Sequence, residues 1–188
     1  LLLAGARVDP GGGGALRWRT DGRWAFGTVD LPEDGKGLES TADAAYRDLF
    51  QALQDTGCPH LLRIWNYLPR INEDGGGLER YRQFNMGRQQ AFIDAGQAIY
   101  EGSPGACALG AQRGGLAIRF LAGQAAPLAI ENPRQVSAYR YPRDYGPRPP
   151  TFSRAALADI GAGQLALLIS GTASIVGHAT VHLGDVAE

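Results

Sequence analysis

Chemistry is concentrated in one stretch, VSAYRYPRDYGPRPPTFSRA, which sets Arg140, Arg143, Arg148 and Arg154 among Tyr139, Tyr141 and Tyr145 and pins the backbone with four prolines. A guanidinium grips a carboxylate through two parallel hydrogen bonds, so such a row beside rigid phenols suits a small organic acid carrying two negative charges. The same composition also suits a solvated connector between two domains, and residue types alone leave both readings open. Beyond it, an apolar run from Leu165 to Ile169 breaks into Ser170, Gly171, Thr172, Ala173 and Ser174. A strand that turns small lets a ligand or another chain approach its backbone, and Ser170 or Thr172 would then donate to an ether or hydroxyl oxygen. A bulge at Gly171, with the hydroxyls satisfying buried strand ends, is the plainer alternative.

Other chemistries find less support. His178 and His182 lie four apart in VGHATVHLG, which reads as a strand or bend. On a strand that spacing is roughly 13 Å, too far to share one zinc, and His60 is remote in sequence. No Gly-X-Ser-X-Gly surrounds Ser170 or Ser174, which argues against a serine hydrolase. Asp144 and Asp159 are the candidate carboxylates, but arginines around Asp144 hold it ionised and a poor proton donor. The glycine run Gly11 to Gly14 lacks the Gly-Lys-Ser/Thr of a phosphate loop and reads as flexible.

Whole-chain properties narrow the partners. With 18 basic and 19 acidic residues the net charge is -1, so nothing global attracts nucleic acid or an anionic membrane and any anion site is local. A chain of 188 residues, 44% hydrophobic and 20% charged, suits an ordinary globular protein with one sizeable core, or one domain plus part of another. Cys58 and Cys107 lack metal-ligand spacing and read as small buried hydrophobes in a reducing, cytoplasmic compartment. No run is apolar for long enough to cross a bilayer, and the opening LLLAG is too short for a signal peptide. The chain begins without Met and stops soon after a new strand pattern starts, which suggests a piece of a longer protein.

The elements that must position these residues follow from periodicity. Arg23 to Leu31 reads as a strand with a possible bulge at Gly27. Ser40 and Asp43 resemble a capping box ahead of a helix carrying Ala42, Ala45, Tyr46, Leu49, Phe50 and Leu53, stopped by Gly57 and Pro59. HLLRIWNYLPRIN alternates Leu62, Ile64 and Leu68 against Arg63, Trp65 and Tyr67, as an interior strand does. A second helix is expected from Leu78 to Tyr100, interrupted by Gly87 and decorated by Arg80, Arg82 and Arg88 as a solvated face. Strands are expected over Cys107 to Gly110, Leu116 to Leu121 and Gln135 to Tyr141. This order gives an α+β fold with helices on one face of a mixed sheet. The segmentation it suggests is a flexible arm over 1–22, an α+β domain over 23–135, the Arg/Tyr/Pro connector over 136–150, and the first strands of a second domain over 151–188.

Four blocks in order, IWNYLPRIN, YRQFNMGRQQAF, SAYRYPRDYGPRPPTFSRA and ISGTASIVGHATVHLGD, closely resemble the chorismatase family, from about Trp24 to the end. The resemblance implies a YjgF/chorismate-mutase-like topology followed by the start of a second, YjgF-like domain. It implies cleavage of the enolpyruvyl ether of chorismate without metal or redox cofactor, giving pyruvate and 3-hydroxybenzoate, 4-hydroxybenzoate or a dihydroxycyclohexadienoate. Motif and chemistry together make Arg140, Tyr141, Arg143, Tyr145, Arg148, Arg154, Ser170, Gly171 and Thr172 the candidate substrate-binding residues, with one or two of the arginines expected on the substrate carboxylates and the others bracing the two domains. The family's acid, a late glutamate, falls beyond residue 188, so residues 1–188 alone are expected to be inactive, and the complete protein is expected to be a monomer. A noncatalytic YjgF-like binding module and an imine or enamine deaminase are the alternatives.

Overall fold

The computed structural model describes residues 7–185; the opening LLLAGA and the closing VAE lie outside the described residues. Six strands form the main sheet: β1 (Asp9–Gly11), β2 (Leu16–Thr20), β3 (Trp24–Leu31), β4 (His60–Pro69), β5 (Gly105–Ala111) and β6 (Leu116–Gly123). Their spatial order is β1-β2-β3-β6-β4-β5. Neighbours run antiparallel except β4 and β5, whose parallel pairing requires a crossover.

Two helices cover one face. α1 (Gly37–Thr56) lays Ala42, Ala45, Tyr46, Leu49 and Leu53 against the sheet, and α2 (Arg80–Asp94) is the crossover between β4 and β5. Their shared core is aromatic: Phe92 meets Phe50 edge-on at 5.0 Å and Tyr46 at 5.5 Å between ring centroids. Gly57 ends α1 in the left-handed conformation, as its sequence position predicts. The expected capping box does not form, because α1 begins at Gly37 and Ser40 lies inside its first turn.

A second sheet packs on the opposite face. It comprises β7 (Leu128–Ile130), β8 (Ala155–Gly161) and β9 (Gln164–Ile169), in that order and antiparallel. Ala158 packs there against Trp24, Leu62 and Leu121, with Trp65, Ile160 and Leu168 around them. A register shift between Leu61 and Arg63 moves Leu62 to this face, away from the Ile64 and Leu68 side on which simple alternation puts it. A short hairpin of β10 (Ile175–Val176) and β11 (Ala179–Thr180) completes the described elements.

Three expectations are corrected. The arm over 1–22 contains β1 and β2, and its glycine run forms part of the turn between them, because Leu16 pairs opposite Val29 and is buried in the core. The strand expected over Gln135 to Tyr141 is instead a 3₁₀ turn at Ala138–Arg140, followed by another at Arg143–Tyr145. Pairing in this stretch is limited to the bridge of Gln135 with Gly177, after which the Arg140 and Tyr141 amides bond back to Ser137 O and Ala138 O, and Pro142, which lacks a donor, follows directly. The second helix is shorter than expected and ends at Asp94, with Gly96 in the left-handed region just after it.

Candidate functional site

Between α2, the rim of β5, the connector and the β10–β11 hairpin lies a cavity of about 480 Å³. The rim of β5 is where the second sheet is fastened to the first. Ser170 Oγ accepts from Ala106 N at 2.8 Å and donates to Ser153 O at 2.5 Å, while Gly171 N donates to Ala106 O at 3.1 Å. Gly171 is small for a reason the sequence left open. A Cβ there would stand 2.8 Å from Cys107 Cβ, so the close approach is to β5 itself, although Gly171 and Cys107 both also line the cavity.

The cavity gathers Tyr141, Tyr145, Arg154, Gly171 and Thr172 among the residues singled out from the sequence. Four others lie outside its lining. Arg140 turns to solvent and pairs with Glu101 at 2.8 Å, and Arg143 is exposed on the second 3₁₀ turn. Arg148 donates to Gln90 Oε1 at 2.9 Å, bracing the connector on α2. Ser170 is buried and consumed by the seam between the sheets, so it is a brace where a ligand contact was expected. Gly146 lets the connector lie on α2: its φ is +140°, and a Cβ there would meet Arg82 Cγ at 3.3 Å.

Arg154 is held by Tyr141 Oη at 2.8 Å and Val136 O at 3.0 Å, with its guanidinium over Phe152 at 5.3 Å. Arg88 enters the same cavity from α2. It donates to Thr151 O and lies over the rings of Tyr46 at 5.4 Å and Phe92 at 5.5 Å. Only 2% of Arg88 and 8% of Arg154 is exposed. Among the described residues the arginines in ion pairs are Arg7, Arg47, Arg70, Arg80, Arg82, Arg119 and Arg140, so Arg88 and Arg154 are buried without a carboxylate. The Nε of each has no protein acceptor. Burying a cation without a counterion is costly, so two of them on one cavity make a site shaped for an anion.

The sequence reading put Arg80, Arg82 and Arg88 on a solvated face, and the fold corrects this. Arg80 is buried and reaches Glu33 and Pro69 O, and Arg82 is half-buried beside Glu79 at 3.3 Å. The missed signal was periodic: Phe84, Arg88 and Phe92 are successive i, i+4 positions, which puts Arg88 on the apolar stripe. Tyr81 also lines the cavity, and burial pushes its hydroxyl above the ordinary phenol range, opposed by a hydrogen bond from Asn85. It stays protonated there. Glu79 is the one carboxylate of the lining, and Arg82 occupies it. The site presents two buried cations without carboxylate partners and, among the described residues, a single carboxylate already held by an arginine.

Residues 1–122 match the family described as chorismatase FkbO/Hyg5-like, N-terminal. A chorismatase of Streptomyces rapamycinicus is 42% identical over 95% of this chain and 54% of its own length. A 3-hydroxybenzoate synthase of Streptomyces hygroscopicus is 38% identical over 100% of this chain and 56% of its own. A crystal structure of chorismatase superposes with a TM-score of 0.88 at 38% identity, covering 95% of this chain and 54% of that one. The chain thus spans about half the length of the relatives it matches.

Proposed function

We propose, from the premise that this chain belongs to the FkbO/Hyg5-like chorismatase family, that the protein cleaves the enolpyruvyl ether of chorismate, releasing pyruvate. The ring product is 3-hydroxybenzoate, with 4-hydroxybenzoate or a dihydroxycyclohexadienoate as the alternative outcomes. The observation that carries this reading is the pair of buried arginines without carboxylates, Arg88 and Arg154, on one cavity. Chorismate has two carboxylates, and a cavity of about 480 Å³ falls within the range of small-ligand sites.

The reaction needs a proton on the enolpyruvyl methylene, leaving an oxocarbenium-like carbon for water or the ring hydroxyl to attack before pyruvate departs. Within residues 7–185 the cavity offers phenols, guanidinium groups, the His178 imidazole and one arginine-bound carboxylate. Arg88 and Arg154 anchor the carboxylates, Thr172 and the Gly171 backbone border the ether, and the acid comes from sequence outside this chain. The complete enzyme is a cytoplasmic monomer in this reading. A noncatalytic acid-binding module is what residues 1–188 alone would then be.

Chorismate titrated into the protein, with products separated after incubation, tests the proposal. Binding that weakens about thirtyfold or more in Arg88→Ala and in Arg154→Ala, as loss of a buried charge contact of roughly 2 kcal/mol or more requires, supports it. Unchanged affinity in both variants overturns it.

A further inference from the structure

Tyr145 and His178 form one wall of the cavity, and their contact fixes the chemistry of the imidazole as well as its place. Tyr145 Oη lies 2.6 Å from His178 O and 3.1 Å from His178 Nδ1, with the rings edge to face at 5.7 Å. A phenol has a single proton, and the shorter bond to the carbonyl oxygen takes it. The phenolic oxygen is then an acceptor toward the ring, so Nδ1 must be the donor. Neutral His178 therefore carries its proton on Nδ1 and a lone pair on Nε2.

Both partners are tied down. His178 follows Gly177 in the turn of the β10–β11 hairpin, where Val136 N donates to Gly177 O at 2.7 Å and Gly177 N to Arg134 O at 2.8 Å. Tyr145 lies 5.2 Å from the ring of Tyr141, the same phenol that Arg154 holds. Contacts thus run without a break from the carboxylate-binding arginine through two phenols to the imidazole. Donors line one part of the cavity, and the His178 ring, whose neutral form has its lone pair on Nε2, lines another.

Resting on the reading of this cavity as a chorismate site, the geometry points to His178 as the hydroxyl-recognising residue. Its Nε2 accepts a hydrogen bond from the ring hydroxyl of the substrate, while Arg88 and Arg154 take the carboxylates. A lone pair repels a carboxylate and attracts an O–H, so the two kinds of group together allow one orientation of a hydroxylated diacid. Tyr145 is a positioning residue, acting through the imidazole tautomer.

Nitrogen NMR of the histidine rings in the ligand-free 188-residue protein, in alkaline buffer, tests the tautomer directly. The expected result is protonated Nδ1 and bare Nε2, with Tyr145→Phe shifting the population toward protonated Nε2. Protonated Nε2 in the unaltered protein would overturn the inference. In the full-length enzyme, His178→Ala should weaken binding of chorismate about three- to tenfold, the worth of one hydrogen bond, and leave an analogue lacking the ring hydroxyl unaffected. Equal losses for both ligands would also overturn it. If Arg88→Ala and Arg154→Ala keep full chorismate affinity, it is the proposed function that fails, and the ligand-free tautomer is unchanged by that outcome.

Discussion

A single side chain, Arg88, shows how function and stability pull against each other here. Its charge is buried over two aromatic rings and bonded to one carbonyl, with no anion to offset its desolvation. Methionine has similar reach and no charge, so Arg88→Met should leave thermal stability within about 1 kcal/mol of the original while weakening chorismate affinity about thirtyfold or more. Calorimetric melting beside a binding titration checks both halves, and a large loss of stability would make Arg88 a structural residue. Tyr46, beneath Arg88, gives a pH signature. Burial, partly opposed by Arg88, pushes its phenol up to about 12, and its hydroxyl donates to Asn66 Oδ1 at 2.7 Å. The folded protein holds that proton more tightly than the unfolded chain, so the contribution is complete below about pH 10 and lost as pH rises toward 12. Each pH unit in that window costs roughly 1.4 kcal/mol, and Tyr46→Phe should flatten the slope in denaturant titrations. Residues such as Arg154 were legible because a motif of arginines and prolines advertises itself. Arg88 was not, since a surface arginine and a buried one look alike until the stripe of Phe84 and Phe92 is laid beside it.

At the scale of elements, Gly87 carries the packing of the two helices. A glycine inside a helix costs about 1 kcal/mol relative to alanine, which makes it look like a defect in α2. Its place in the fold reverses that judgement, because a Cβ at Gly87 would fall onto the backbone carbonyl of Glu39 in α1. Backbone cannot yield as a flexible side chain can. Gly87→Ala should therefore destabilise the protein by about 1 to 3 kcal/mol despite its better helix propensity, a loss readable as a shifted denaturant midpoint with the slope unchanged. An unshifted or raised midpoint would mean that the helices can separate at no cost. Both helices and the interior strands could be read from periodicity, since each presents an apolar stripe or alternation to a single core. The connector could not. Its apolar and aromatic residues mimic a strand, and only the contacts of Tyr139, Tyr141 and Tyr145 decide that the chain instead turns twice and lines a cavity.

Across the whole molecule, the cavity exists only if two sheets are held in one relation, and that relation rests on a small seam. β7 pairs with β8 before and after the connector, so the second sheet begins at Leu128, ahead of the boundary near residue 135 that composition suggests. The chain folds back on itself there, and a boundary drawn from composition misses it because β7 is only three residues long. Between the sheets lie Trp24 and Trp65 with Leu62, Leu121 and Ala158, a cluster much smaller than the helix-side core. Ser170 contributes where apolar area is scarce, linking Ala106 N to Ser153 O through one hydroxyl. Ser170→Ala leaves the buried Ala106 amide without that acceptor, a penalty of about 1 to 3 kcal/mol. The expected outcome is a lower melting temperature followed together by tryptophan fluorescence in a Trp18→Phe background, where Trp24 and Trp65 report the inter-sheet cluster, and by far-ultraviolet dichroism, which reports the helices. Fluorescence that melts well ahead of dichroism in the variant, but with it in the original, would show that this one hydroxyl makes the two sheets a single cooperative unit. Coincident melting at an unchanged temperature would instead return Ser170 to the role first expected of it, a donor available to the substrate.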